Sequence, residues 1–299
     1  MIEQIFNGNT PTFTIQAKTL PQVWEEAVLV AWNHGISIKT QYDNPQDPPS
    51  KDCTMIMVVQ DPFEEPRLHR AFPGGLNDLE SYRQEVVNGI HDHWVKPEEG
   101  KWTYTYHGRL FNYKPAFRSD KEIVPFIRTI SPDDPSIEYA QPVDQIQFII
   151  DSLAKSTYSR RSQAITYMPS YDQGTEDPPC LQRVWCRIFE DETGNLVLNM
   201  NTNWRSRDAY KAAFMNMFAL TDLQRYIAEE VGKKLGRPVR VGRYVDMSDS
   251  FHIYGKYFNE FKGFLDTVQN RKWEDRVWNS DYAKDIFEET AQSIKESKI

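Results

Sequence analysis

Cysteine is scarce. Cys53, Cys180 and Cys186 are the only three in 299 residues, too few and too scattered for a disulfide framework or a paired-cysteine zinc site. Their expected state is reduced, which suits the cytosol and leaves at least one thiol free for chemistry. Long apolar runs are missing as well. No stretch of 18 or more apolar residues reads as a membrane span, and the opening MIEQIFNGNTPTF has no basic segment leading into an apolar one, so it does not read as a secretory signal. A cytoplasmic protein with no membrane partner is the expectation. Positive charge is in the minority: 35 Lys+Arg face 43 Asp+Glu, a formal net charge of -8. A protein that grips a nucleic-acid polymer usually presents a positive field, so no such polymer is expected as a partner. A small phosphorylated ligand stays open, because it needs only a few arginines in one place. The phosphate loops GxGxxG and GxxxxGK[ST] do not occur, and neither do internal repeats or low-complexity tracts. His91, Asp92 and His93 form a short run of ligand types with nothing nearby to complete a set, so no metal is expected.

What is present describes an ordinary globular chain. Apolar residues at 39% and charged residues at 26% are enough to build a core. The length suits one large domain, or one domain carrying insertions. Aromatics are plentiful, with 8 Trp, 15 Tyr and 16 Phe; most serve packing, and a few can stack on a planar ligand.

The order of elements mixes helices with strand hairpins, which predicts an α+β fold rather than a βαβ alternation. Residues 11–19 read as a strand. Val23, Ala27, Val30 and Ala31 recur at helical spacing over 22–35, with Gly35 placed to stop the helix. Residues 42–52 read as a loop, 54–60 as a strand, 61–75 as a long and therefore suspect loop, and 78–90 as a helix. An aromatic-rich stretch occupies 101–113. Val143, Ile146, Ile150 and Leu153 mark an amphipathic helix over 143–153. A strand is expected within 159–169 and a hairpin over 183–202, turning at 191–195. A long helix is expected from about 208 to 231, two strand-like pieces at 239–248 and 251–254, and a terminal helix at 281–297.

Four constellations carry possible chemistry. In DPPCLQRVW, Cys180 follows two prolines on a stiff backbone and precedes a strand, so its side chain can be held in one direction. A thiol acts as thiolate, and nearby arginines lower its pKa; a buried structural cysteine is the plain alternative. Arg160 and Arg161 in SRRS point to opposite faces if extended. Guanidinium forks suit phosphate, although a solvated basic pair is the simpler reading. In NTNWRSRD, Arg205 and Ser206 can hold a phosphate near the start of the following helix. Asp208 either caps that helix or binds a heterocycle N–H. Asn216 lies about two helical turns on, between two methionines; a buried amide there must be bonded, and its paired donor and acceptor suit the edge of a base. In SDSFHIYG, His252 and Tyr254 share one strand face and can bind sugar hydroxyls, or form an ordinary buried pair.

Taken in order, these pieces resemble the thymidylate synthase and pyrimidine-nucleotide hydroxymethylase superfamily, in a divergent, archaeal-like branch. The family's Pro-Cys nucleophile matches Cys180, and its arginine pair, donated across a dimer to the partner's phosphate, matches Arg160 and Arg161. Its Arg-Ser-x-Asp stretch matches Arg205, Ser206 and Asp208. Its pyrimidine-reading amide, eleven residues after that arginine, falls on Asn216, and its His-x-Tyr sugar clamp on His252 and Tyr254. Residues 143–255 hold the best-matching core of a single domain over 1–299, with 1–142 a divergent N-terminal part carrying insertions. YTYHGRLF resembles the family's Tyr-Gly segment and nominates Tyr106, with His107 interposed. The catalytic glutamate is expected in an early helix before a glycine, which nominates Glu85 with Glu80 as fallback.

The resemblance implies a mixed sheet with flanking helices, two sheets packed back to back in a homodimer, and 5,10-methylenetetrahydrofolate as co-substrate. His91, Trp94, Asp208, Lys211 and Ala212 fall beside the folate. It further implies reductive C5 methylation of dUMP to dTMP through a Cys180–C6 adduct. The alternatives are C5 hydroxymethylation of a uridine or cytidine monophosphate with water, and a non-catalytic nucleotide-binding protein. Departures from the common pattern are Leu181 after the nucleophile in place of histidine, Trp204 before Arg205 in place of glutamine, Lys211-Ala212 in place of Leu-Gly, and the ending ESKI. If Trp94 matches the outer tryptophan of the family, the position that guards the folate space against water becomes His91.

Overall fold

A computed structural model describes residues 8–119, 122–131, 134–139 and 141–296. In chain order come β1 (Thr12–Ala17), α1 (Leu20–His34), β2 (Ile36–Ile38), β3 (Ser50–Val59), β4 (Leu68–His69), α2 (Leu76–Asn88) and α3 (Tyr106–Phe111). Two small hairpins follow, β5 (Ala116–Ser119) with β6 (Glu122–Pro125) and β7 (Ile127–Ser131) with β8 (Asp134–Tyr139). The remainder is α4 (Gln145–Lys155), β9 (Gln163–Ile165), α5 (Pro169–Asp172), β10 (Leu181–Glu190), β11 (Leu196–Trp204), β12 (Arg207–Asp208), α6 (Ala213–Leu235), β13 (Val239–Ile253), α7 (Phe258–Asn270), α8 (Trp273–Arg276), β14 (Val277–Trp278) and α9 (Lys284–Glu296).

The main sheet runs β1-β3-β13-β11-β10-β9, with β2 added beside β3 and β12 beside β13. It is mixed: β1–β3 and β11–β13 are parallel, while β3–β13, β10–β11 and β9–β10 are antiparallel. The fold is therefore α+β, as the mixed order of elements predicts. Period-2 alternation sends Met55, Met57, Val59, Val184, Cys186, Ile188, Leu198, Met200 and Tyr244 into one core, where α1 and α6 cover that face of the sheet. The opposite face carries Ile56, Val58, Trp185, Arg187, Val245 and Met247, all only half-buried.

Helix α6 is the central support of the fold. It packs on β11 and β13, and α2 and α4 pack on it in turn. Trp24 of α1 is fully buried among Phe72, Phe214 and Phe264. Its indole N–H donates to the Ala209 carbonyl at 2.9 Å. One buried aromatic thus anchors the turn between β12 and α6, the segment that carries several candidate residues.

Several sequence expectations shift. The loop expected over 42–52 ends early, because β3 already begins at Ser50. Val143 stands outside α4, exposed and bridged to Tyr113; Ile146, Ile149, Ile150 and Leu153 form the buried stripe. Arg160 and Arg161 precede β9 rather than lie in it. The long helix begins at Ala213, not Asp208, so Asn216 sits in its first turn and Asp208 in β12. The two strand-like pieces near 239–254 are one fifteen-residue strand, with a register shift between Ser248 and Phe251; Tyr254 lies just beyond it. Gly35 does end α1, but in extended rather than left-handed conformation. A side chain there would press on the Ala31 carbonyl oxygen at 2.4 Å. The terminal helix matches α9 as far as Glu296, and Ser297 lies outside the described residues.

Candidate active site

Cys180 is placed by the rigid loop before β10. Its carbonyl accepts the Arg205 N–H at 2.9 Å. The Arg205 guanidinium donates Nε to the Pro179 carbonyl at 3.1 Å, and Nη2 to the Pro178 carbonyl and to Asp177 Oδ1 at 3.2 Å. On the other side, the Leu181 N–H donates to the Tyr106 hydroxyl at 3.3 Å. The nucleophile candidate is thus held between the strand start, an arginine and a half-buried tyrosine. Cys53 and Cys186 are enclosed in the core, whereas Cys180 is only partly buried. Burial pushes the Cys53 thiol up to about 12 and that of Cys186 higher still.

The expected lowering of the Cys180 pKa does not hold in the free protein. Burial raises it most. Arg205 and then Arg207 pull it down, the Asp177 carboxylate pushes it up, and the net direction is upward. Removing the Asp177 charge should therefore favour thiolate. Asp177→Asn is expected to speed alkylation of Cys180 by iodoacetamide at pH 8 by about threefold, in line with thiolate control of reactivity. An unchanged rate against a Cys180→Ala background would show that Asp177 has no hold on the thiol.

Tyr104 and Tyr106 are strongly desolvated, and each feels the Cys180 charge. Tyr106 also sets its ring edge-on to Trp204, at 5.7 Å between centroids. The interposed His107 turns elsewhere: its Nδ1 lies 2.7 Å from Asp92 Oδ2 and its ring stacks on Phe111. The residue facing Cys180 is accordingly Tyr106. Asn216, 6% exposed, donates Nδ2 to the Tyr82 hydroxyl at 2.5 Å, so the buried amide is bonded as its position requires. Tyr82 feels Glu85, Arg207 and Tyr104.

Of the two glutamate candidates, Glu80 is fully buried and committed to Arg83 at 2.6 Å and Gln84 at 2.7 Å. Glu85 faces the Tyr82 side, and its Oε2 lies 2.8 Å from His91 Nδ1. Burial raises the Glu85 carboxyl, opposed by His91. His91 in turn stacks on Trp94 at 3.7 Å between centroids. Trp102 packs edge-on to Trp94, and both indoles are about two-fifths exposed, at 43% and 41%.

Asp208 neither caps α6 nor is free. Its Oδ1 accepts the N–H groups of Tyr210 at 3.1 Å and Lys211 at 2.8 Å, shaping the turn ahead of the helix. Burial pushes its carboxyl up to about 6. Lys211 pairs with Glu260 and lies over the Tyr257 ring, while Ala212 donates its N–H to the Asp208 carbonyl at 3.2 Å. Tyr254 feels both Asp208 and Cys180 and packs edge-on against His252 at 4.5 Å. Ser206 is half-buried between Arg205 and Arg207. Arg160 and Arg161 stand apart, exposed; among the described residues no hydrogen bond or ion pair joins either guanidinium to this cluster.

Sequence reasoning passed over Tyr82, Tyr104, Asp177 and Arg207. Tyr82 had one legible signal, its position three residues before Glu85 on the same helix face. Arg207 had none. It is 2% exposed, sets its guanidinium over the Trp204 ring at 3.6 Å from the centroid, and pairs with buried Asp246 at 3.0 Å.

The family model described as thymidylate synthase matches residues 75–295. A relative from Methanococcoides burtonii is 24% identical over 255 residues, spanning 85% of this chain and 95% of its own. One from Methanosarcina mazei is 25% identical over 242 residues, 80% of this chain and 88% of its own. One from Methanothermobacter thermautotrophicus is 35% identical over 118 residues, 40% of this chain and 48% of its own. All three carry the name "Putative thymidylate synthase". The chain belongs to the thymidylate synthase family, on a branch with archaeal relatives. No helix among the described residues is long and apolar enough to cross a membrane.

Proposed function

We propose that this protein adds a one-carbon unit to C5 of a pyrimidine nucleoside monophosphate, with Cys180 as nucleophile, and that it makes dTMP from dUMP. One observation carries the reading: a fixed, partly buried thiol shares a cluster with an arginine, desolvated tyrosines, a bonded amide and two carboxylates of raised pKa. Attack of the Cys180 thiolate on C6 sends the ring electrons toward C5 and turns a poor nucleophile into an enol-like one. Arg205, with Arg160 and Arg161 of the partner subunit, would neutralise the phosphate, and binding energy there positions the ring. Asn216 would read the uracil edge, His252 and Tyr254 the sugar. Glu85 and Tyr106 would handle protons near C5.

The surroundings fit a folate. The exposed Trp94 indole, stacked on His91, offers apolar aromatic surface, and desolvated Asp208 offers a carboxyl to a heterocycle N–H; Lys211 and Ala212 adjoin it. When bound, methylenetetrahydrofolate supplies the one-carbon unit and, for methylation, the hydride. The half-buried apolar residues on the open sheet face support a homodimer packed sheet to sheet, which is the arrangement that would bring the exposed arginine pair to a partner's site.

A second reading has its own observation. His91, not an indole, pairs with Glu85, and an imidazole at the guarding position can hold water where hydroxymethylation needs it. One assay separates the readings: dUMP, dCMP, UMP and CMP with methylenetetrahydrofolate, following C5 tritium release and dihydrofolate together. Methylation of dUMP requires tritium release matched by dihydrofolate. Release without dihydrofolate means hydroxymethylation, and nucleotide binding without release means a non-catalytic protein.

A further inference from the structure

Asp52 on β3 faces His252 on β13 in the antiparallel register, and Ser250 lies in the register shift beside them. The Ser250 hydroxyl donates to Asp52 Oδ2 at 2.9 Å and lies 3.1 Å from His252 Nδ1. A serine hydroxyl has one proton and an ionised carboxylate can only accept. The Ser250 proton is therefore spent on Asp52, and Ser250 Oγ must accept from His252. That places the imidazole proton on Nδ1 and leaves Nε2 a bare acceptor. His252 is 5% exposed and its Nε2 has no hydrogen-bond partner, although buried polar atoms are nearly always bonded. Burial also holds the ring neutral, its pKa lowered to about 4. Tyr254, packed edge-on against this ring, feels the Cys180 charge, so the imidazole adjoins the nucleophile's cluster.

We propose that Asp52 and Ser250 are positioning residues that hold His252 in its Nδ1–H form, so that Nε2 accepts a hydrogen bond from a hydroxyl of the nucleotide sugar. The proposal rests on the nucleotide reading above and adds to it the polarity of the contact. The ligand group must be a donor. A sugar that lacks this hydroxyl leaves Nε2 unmet, and one phosphorylated there brings only acceptors.

The tautomer is measured directly by 15N NMR of the imidazole nitrogens in the nucleotide-free full chain, with His252→Gln to assign the signal. Wild type should show protonated Nδ1 and bare Nε2. In Asp52→Asn the new amide can donate to Ser250, turn its proton toward Nδ1 and move the imidazole proton to Nε2. Ser250→Ala cuts the link to Asp52 but keeps the Ser250 backbone contact that also favours the ring proton. It should weaken the Nδ1–H preference without reversing it, and it guards against one variant failing to fold. In kinetics, Asp52→Asn should raise KM for dUMP about tenfold, the scale of losing one net hydrogen bond. KM for 2′,3′-dideoxyuridine monophosphate should move by less than about twofold, since that nucleotide has no such contact to lose. A protonated Nε2 in the wild type, or equal rises for both nucleotides, would overturn the proposal. The expected tautomer in a protein that releases no C5 tritium from any nucleotide would instead overturn the enzymatic reading and leave the relay standing.

Discussion

Cys180→Ala is expected to abolish nucleotide-dependent release of hydrogen from C5, a loss of at least about 10⁴-fold, because covalent attack at C6 is the step that makes C5 reactive. The other thiols cannot stand in for it. Cys53 and Cys186 are fully buried under the sheet, with pKa values pushed far up by desolvation. The fold should persist, because the backbone around Cys180 is held by groups that do not involve sulfur: the Arg205 guanidinium on the Pro178 and Pro179 carbonyls, the Arg205 N–H on the Cys180 carbonyl, and the Tyr106 hydroxyl under the Leu181 N–H. Removing one partly buried sulfur should cost no more than about 1 kcal/mol. Tritium release and a thermal melt on the same preparation make the comparison. A variant that melts like the wild type and keeps a tenth of its activity would remove Cys180 from the mechanism.

Elements with a strong period were legible in the sequence. Helix α1 and the β10–β11 hairpin follow from apolar spacing alone, and the stiffness of Cys180 follows from two preceding prolines. Boundaries that depend on side-chain bonds were not. Ala209 and Ala212 fit a helical stripe, yet Asp208 bends residues 209–212 into turns by capturing two N–H groups, and α6 starts only at Ala213. Asp249 and Ser250 look like a break between strands, because both are turn formers; β3 pairs across the irregularity and keeps β13 whole. The sign of the Cys180 shift was hidden for a different reason. Arginines near the thiol can be counted in a sequence, but its burial is set by residues far along the chain. Tyr82, Asp52 and Arg207 escaped notice likewise, since their partners Asn216, Ser250 and Asp246 lie 134, 198 and 39 residues away.

Asp208→Asn is expected to stabilise the protein near neutral pH while disabling it. Burial raises the Asp208 carboxyl to about 6, against about 3.9 in an unfolded chain. The folded state therefore holds the proton more tightly than the unfolded one. Below about pH 4 both states are protonated and the group carries no penalty. Between about pH 4 and 6 the unfolded chain ionises first, so stability falls as pH rises. Above about 6 the full penalty is present, on the order of 3 kcal/mol for a shift of about two units. Asparagine keeps the oxygen that receives the Tyr210 and Lys211 N–H groups but has no charge to desolvate. Thermal melts should show the variant higher by several degrees at pH 7.5, with the gap closing toward pH 4. Activity should fall about 100-fold, the scale of losing a group that bonds or exchanges a proton in the reaction. A carboxylate kept at a cost to the fold, where an amide would serve the structure equally well, is the mark of a group retained for its chemistry. A variant no more stable than wild type at pH 7.5 would show that Asp208 is not desolvated in the folded chain, and a stable variant of full activity would show that its charge has no part in the reaction.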